Sequence, residues 1–145
     1  MADLLGHPLG PALAAHLRTG MARPFDRATG ADCAMWVADW VRAATGIDPA
    51  APLRGSYRTG PGALRIILNF GGYEQMWRLR MAMSGFETTE APKVGDVGVV
   101  RDAAGSVVAA IRLEGQWAAK GRHGIVCEDF ARLAAWDIGG TLSRG

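Results

Sequence analysis

Along the first half of the chain, apolar side chains recur every three or four residues. In the second half they fall into short β-branched runs separated by turn residues. The first spacing is one face of a 3.6-residue helix, and the second is strand patterning. Leu9, Leu13, Ala14 and Leu17 predict a short amphipathic helix from Pro8 to Thr19, with Gly20 as its stop. A polar connection follows, Met21 to Ala31, in which Phe25 is expected to dock on the core. The strongest helix signal runs from Asp32 to about Thr45, where Cys33, Trp36, Val37, Trp40, Val41 and Ala44 share one stripe. Asp32 stands where an N-cap belongs, and Gly46 where a helix ends in left-handed backbone. Pro49 biases Asp48 away from helix, so Ile47-Asp48-Pro49 breaks the chain. Beyond the polar stretch Leu53-Arg54-Gly55-Ser56-Tyr57-Arg58-Thr59, Pro61 opens a third helix to about Phe70. Gly71-Gly72 ends it, and Tyr73 to Met83 predicts a fourth.

The period then changes. Strands are predicted at Val94–Val100, Val107–Leu113, Gln116–Ala119, Gly124–Cys127 and Ala134–Ile138, with one helical turn from Glu128 to Leu133. Helices followed by a meander of strands specify an α+β domain, its helical N-terminal half packed on a small antiparallel sheet. Residues 1–145 form one domain, with an N-terminal arm and short helix over 1–24 and a loose tail over 139–145. Trp36, Val37, Trp40 and Val41 are expected to form the central core contact with Val97, Val99, Ile111 and Leu113.

Composition narrows the function classes. A chain of 145 residues with 49% hydrophobic and 21% charged residues is long enough for one real core and too apolar for global disorder. The net charge of +2 comes from interspersed arginines and carboxylates, with no basic run of the kind that tracks phosphates, so nucleic acid is not expected as a partner. No apolar stretch approaches the ~20 residues that span a bilayer. The opening Met1-Ala2-Asp3-Leu4-Leu5-Gly6-His7-Pro8 lacks the basic and apolar regions of a secretory signal, and production in the bacterial cytoplasm is expected. Two cysteines, Cys33 and Cys127, do not make a disulfide framework, and neither has a second metal ligand at a recognised spacing. No cofactor and no metal are expected, there being no Gly-rich phosphate loop after a strand.

Chemistry centres on Cys33. In the first turn of a helix, a cysteine feels the positive end of the helix dipole and nearby backbone N–H groups, which favour the thiolate a nucleophile needs. The competing reading places Cys33 in the core, because it shares a stripe with Trp36 and Trp40. A nucleophile also needs a base, and the chain has three histidines. His7 and His16 fall on the N-terminal arm and its helix, where surface positions are expected. His123, at the mouth of the fourth strand, is the candidate base, with an exposed turn histidine as the alternative.

The order of these pieces resembles a known family. Asp32-Cys33 opening a helix, helices next, then Gly95-Asp96-Val97 starting the sheet, is an order similar to that of NlpC-type cysteine endopeptidases. The chain also resembles a set of NlpC-like proteins from tail modules of phages and prophages, through Phe25 to Gly46 (with Asp32-Cys33-Ala34 and Ala38-Asp39-Trp40), Leu53-Arg54-Gly55-Ser56-Tyr57-Arg58-Thr59, Gly95-Asp96-Val97-Gly98-Val99-Val100 and the closing Ala134-Ala135-Trp136-Asp137-Ile138. That resemblance implies a papain-like fold, cleavage of peptidoglycan stem peptides in active members, location in the virion tail, and other tail or tail-tip proteins as partners. It carries Cys33 onto the nucleophile position. The family's catalytic histidine begins the strand after the Gly-Asp strand, often as His-Val-Gly-Ile, and this chain has Val107-Val108-Ala109-Ala110-Ile111 there. The third polar residue comes from the next strand, which here offers Trp117-Ala118-Ala119. Loss of the base alone costs about 10²–10⁴-fold in rate. The expectation is therefore a structural or adaptor protein on an incomplete catalytic scaffold. The alternative is an active peptidoglycan endopeptidase or amidase with Cys33 as nucleophile and His123 as base.

Overall fold

A computed structural model describes residues 10–30 and 32–139. Among these residues four α-helices precede a six-stranded sheet: α1 (Gly10–Ala22), α2 (Cys33–Thr45), α3 (Gly60–Asn69) and α4 (Tyr73–Met83), then β1 (Glu87–Thr88), β2 (Val97–Arg101), β3 (Val107–Arg112), β4 (Trp117–Gly121), β5 (Gly124–Glu128) and β6 (Ala131–Asp137). Every pairing is antiparallel, in the order β1-β6-β2-β3-β4-β5. The molecule is an α+β fold, with helices carried on an antiparallel sheet.

The helix-side core joins the α2 stripe to alternate strand residues. Trp36, Val37, Trp40 and Val41 share one buried cluster with Val97, Val99, Ile111 and Leu113, together with Leu13, Leu17, Met81 and Trp136. Helix α2 packs chiefly on β3 and β4, α1 on β5, and α4 on β3 and β6. The opposite face of the sheet carries a smaller cluster of Val100, Ala110, Trp117, Ala119, Phe130 and Ala135. Gly98 lets that cluster close: a Cβ there would stand 2.8 Å from the Trp117 ring and 2.6 Å from the Ala134 carbonyl. The Arg112 guanidinium lies 5.2 Å from the centre of the Trp117 ring.

Four local expectations change. Helix α1 does not stop at Gly20 but runs to Ala22. Gly20 is buried because the Trp36 indole crosses it; a Cβ would lie 2.3 Å from Trp36 Nε1. The buried Lys120 ends α1 instead, donating to the carbonyls of Gly20 and Arg23 at 2.6 Å each, where the helix's orphan acceptors and negative dipole end favour a cation. Strand β2 begins at Val97, since Val94 to Asp96 form its entry turn. No helical turn occupies 128–133. Phe130 is buried in the second cluster, and β6 starts at Ala131, pairing with Arg101 across a bulge between Val99 and Val100. Finally, β1 is two residues long and pairs Glu87 with Asp137 and Thr88 with Trp136, too short to leave a periodic signal. Phe25 is half-buried with the Arg27 guanidinium 4.9 Å from its ring centre.

Candidate functional site

The N-terminus of α2 is built by side chains from three segments. Asp32 is the N-cap, in extended backbone, and its Oδ1 accepts from Met35 N at 2.8 Å. Its Oδ2 accepts from the Tyr57 hydroxyl at 2.5 Å, so both oxygens of a carboxylate only 3% exposed are satisfied. The segment that delivers Tyr57 is itself pinned. Arg54 pairs with Asp39 at 2.9 Å and Asp48 at 2.7 Å, and Gly55 takes a φ of 75°. Thr59 then caps α3 through Gly62 N at 3.1 Å. The polar heptad from Leu53 to Thr59 is thus a brace between α2 and α3.

Cys33 is the first residue of α2 and is partly exposed. Its Sγ lies 3.7 Å from the Tyr73 hydroxyl at the start of α4. That oxygen also accepts from Ala109 N of β3 at 3.1 Å, which fixes the hydroxyl between the strand and the sulfur. Burial pushes the Cys33 thiol up, and the Asp32 carboxylate adds to the effect. Tyr73, the Ala34 N–H and the Arg27 guanidinium pull the other way and are outweighed. Burial also holds the Tyr73 phenol well above its ordinary range, and burial with Asp32 does the same for Tyr57. At neutral pH the site therefore holds a thiol and two phenols.

The histidines do not complete a catalytic set. His123 sits exposed in the turn between β4 and β5, just before the strand that packs against α1, and is not among the residues lining the cavity at Cys33. His16 is half-buried rather than on the surface: its Nε2 donates to the Trp36 carbonyl at 2.8 Å, and its ring stacks on Trp36 at 5.1 Å. Burial lowers its pKa. His7 lies outside the described residues. On β3, the helix-facing positions are Val107, Ala109 and Ile111; Val107 lines the cavity with Cys33, and Ala109 serves Tyr73 through its backbone. On β4, Ala118 faces the helices. Aliphatic side chains thus stand where strand partners of the sulfur would be.

Cys33 and Tyr73 line a cavity of about 330 Å³ between α2, α3, α4 and β3. Its walls are mostly apolar, with Met35, Leu53, Ile67 and Met76 among them, and the indole of Trp77 beside Tyr73. Cys33 and Cys127 are both free thiols. Among the described residues, no group of three or more His, Cys, Asp or Glu side chains could hold a metal ion. No helix of the described residues is long and apolar enough to cross a membrane.

The Gly95-Asp96 motif turns out to be architectural. Asp96 is 2% exposed, accepting from Lys93 N at 2.8 Å and Ile138 N at 3.2 Å, so one carboxylate ties the entry of β2 to the exit of β6. Trp40 Nε1 donates to the Gly95 carbonyl at 2.8 Å and fastens α2 to the same turn. Sequence reasoning singled out Cys33 but not Tyr57, Tyr73 or Arg27. The one available signal was an aromatic inside a polar connection, at Tyr57.

Residues 9–138 match a family model described as a domain of unknown function, DUF6950, and the chain belongs to that family. No curated protein and no solved structure matches it.

Proposed function

We propose that this DUF6950 member is a catalytically silent NlpC-type, papain-like scaffold acting as a structural or adaptor protein in a phage-like tail. The observation that carries the silent site is the partner of Cys33. A tyrosine hydroxyl at 3.7 Å takes the place of an imidazole, and the strand beside it presents valine and alanine. A phenol whose pKa is raised well above 10 cannot act as a base near neutrality, and a thiol pushed upward by burial is a poor nucleophile there. Support for the scaffold comes from Cys33 at the head of a helix laid across an antiparallel sheet, followed by a brace and a Gly-Asp strand entry in the family order. The tail location, and tail or tail-tip proteins as partners, rest on the resemblance of those segments.

Two measurements test the reading. Alkylation of Cys33 by iodoacetamide should be slow at pH 7 and accelerate only in the alkaline range, with Cys127 replaced by serine to leave one thiol. Digests of purified peptidoglycan should be identical for wild type and Cys33→Ala. Fragments released by wild type alone would make the protein an endopeptidase and sink the silent-site reading. For the location, tail particles from an induced culture of the host strain should contain the chain by immunoblot. Complete infectious particles lacking it would refute the tail assignment.

A further inference from the structure

One wall of the cavity beside Cys33 is only partly covered by the described residues. Helix α3 is amphipathic: Ala63, Leu64, Ile66 and Ile67 line the cavity, yet not one residue of the helix is buried. Leu64 remains 53% exposed, so the cavity opens on that side. Helical stability usually comes from burying such a stripe against a core. Here Ile67 reaches the core while the rest of the stripe borders a mostly apolar cavity of about 330 Å³, at the lower end of the size range of small-molecule sites.

Two polar features belong to the lining. Trp77 is 4% exposed, and its indole N–H, close to the Tyr73 hydroxyl, has no hydrogen bond of good geometry. The half-buried Arg27 also lines the cavity, near enough to Cys33 and Tyr57 to act on both electrostatically. Its guanidinium stacks on Phe25 and forms no ion pair with a carboxylate of the described residues. Arg80, on the same lining, spends its Nε on the Pro49 carbonyl and likewise makes no such pair. The single acid of the lining, Asp32, has both oxygens engaged by Met35 N and Tyr57. Arg80 lies two turns along α4 from Tyr73, and Asp32 acts on the same Cys33 and Tyr57 as Arg27, so what marks this end of the cavity is the Arg27 guanidinium, which has no ion pair among the described residues.

We propose that this cavity is a binding site for a medium-chain aliphatic carboxylate, its chain along the α3 wall and its carboxylate at Arg27. An apolar body with one anionic end is the ligand class that matches dry walls and an unpaired guanidinium together. The proposal is independent of the tail assignment, and it does not require Cys33 to be reactive.

Sodium decanoate, kept below its micellar concentration, would be titrated into wild type by calorimetry, with 1-decanol and sodium acetate as neutral and chainless controls. Decanoate should bind saturably at one per chain, acetate not at all, and decanol more weakly. Arg27→Gln should weaken decanoate by roughly tenfold, the scale of one charge-assisted hydrogen bond, and leave decanol unchanged. Ala63→Trp, or Val107→Phe from the opposite wall if the first fails to fold by circular dichroism, should abolish both. Decanoate binding to wild type is read independently of the peptidoglycan digests, so cleavage could overturn the silent-site reading while leaving this one standing. Equal affinity for decanoate and decanol, unmoved by Arg27→Gln, would refute the carboxylate assignment. Absence of saturable decanoate binding to wild type would overturn the site altogether.

Discussion

Trp40 is the residue on which α2, the sheet and the site most depend, and its truncation makes a sharp test. The side chain is 1% exposed inside the helix-side core, and its Nε1 donates to the buried Gly95 carbonyl at 2.8 Å. Trp40→Ala removes the ring from a close-packed core, a change that costs about 3–5 kcal/mol. Trp40→Phe keeps much of the apolar volume but leaves the Gly95 carbonyl without its donor, costing about 1–3 kcal/mol. Domains of this kind are stable by about 5–15 kcal/mol, so the alanine variant loses a large share of the total. At roughly 4 °C per kcal/mol for this chain length, its Tm should fall by about 12–20 °C. Urea unfolding followed by far-ultraviolet circular dichroism avoids a tryptophan signal that the substitution itself alters. The midpoint should fall in the order wild type, phenylalanine, alanine, at constant m. A loss below about 1 kcal/mol for Trp40→Ala would mean the ring lies at a surface or partner interface. A phenylalanine variant as stable as wild type would show that the Gly95 bond contributes nothing.

Other substitutions probe the packing of α1. Gly20→Ala should improve intrinsic helix propensity by about 1 kcal/mol, yet the new Cβ would stand 2.3 Å from Trp36 Nε1 in a buried contact. Overpacking of about 1–3 kcal/mol wins, so the variant should be less stable by thermal melt, and a more stable one would contradict the contact. His16 has a folded pKa lowered below 6.5 by burial, so the native state binds fewer protons than the unfolded chain. The stability this supplies is present above pH 6.5 and is lost as pH falls through that value toward the folded pKa. The urea midpoint of wild type should drop between pH 7.5 and 5.5, and His16→Gln should flatten that part of the profile. An unchanged slope would assign the pH dependence to other groups.

The helices were legible because their information is local. The α2 stripe, the Asp32 cap and the Gly46 stop all lie within a 15-residue window of the chain, and the structure repeats them with Asp32 on Met35 N and Gly46 at φ 80°. The strand cores from Val97 to Arg101 and from Val107 to Arg112 were equally plain, as short β-branched runs between turns. The ends of elements were not. Gly20 reads as a helix stop because glycine is a poor helix former, but a tryptophan 16 positions later decides that the helix continues past it. The start of β6 depends on a partner, Arg101, thirty positions earlier, which no local pattern encodes.

The site divides in the same way. Cys33 at the head of a capped helix follows from its neighbours in the chain, and its candidacy as a nucleophile follows from that position. Whether it becomes one depends on what the fold brings beside it. Tyr73 arrives from 40 residues away and Ala109 supplies the N–H that orients the hydroxyl, while His123 remains in an exposed turn. Charge and apolar content in the sequence say nothing of a cavity, because its walls come from three helices and a strand, with Arg27 added from a loop. Periodicity records which side chains leave water, and only tertiary packing decides whether the space they face is filled by protein or left open.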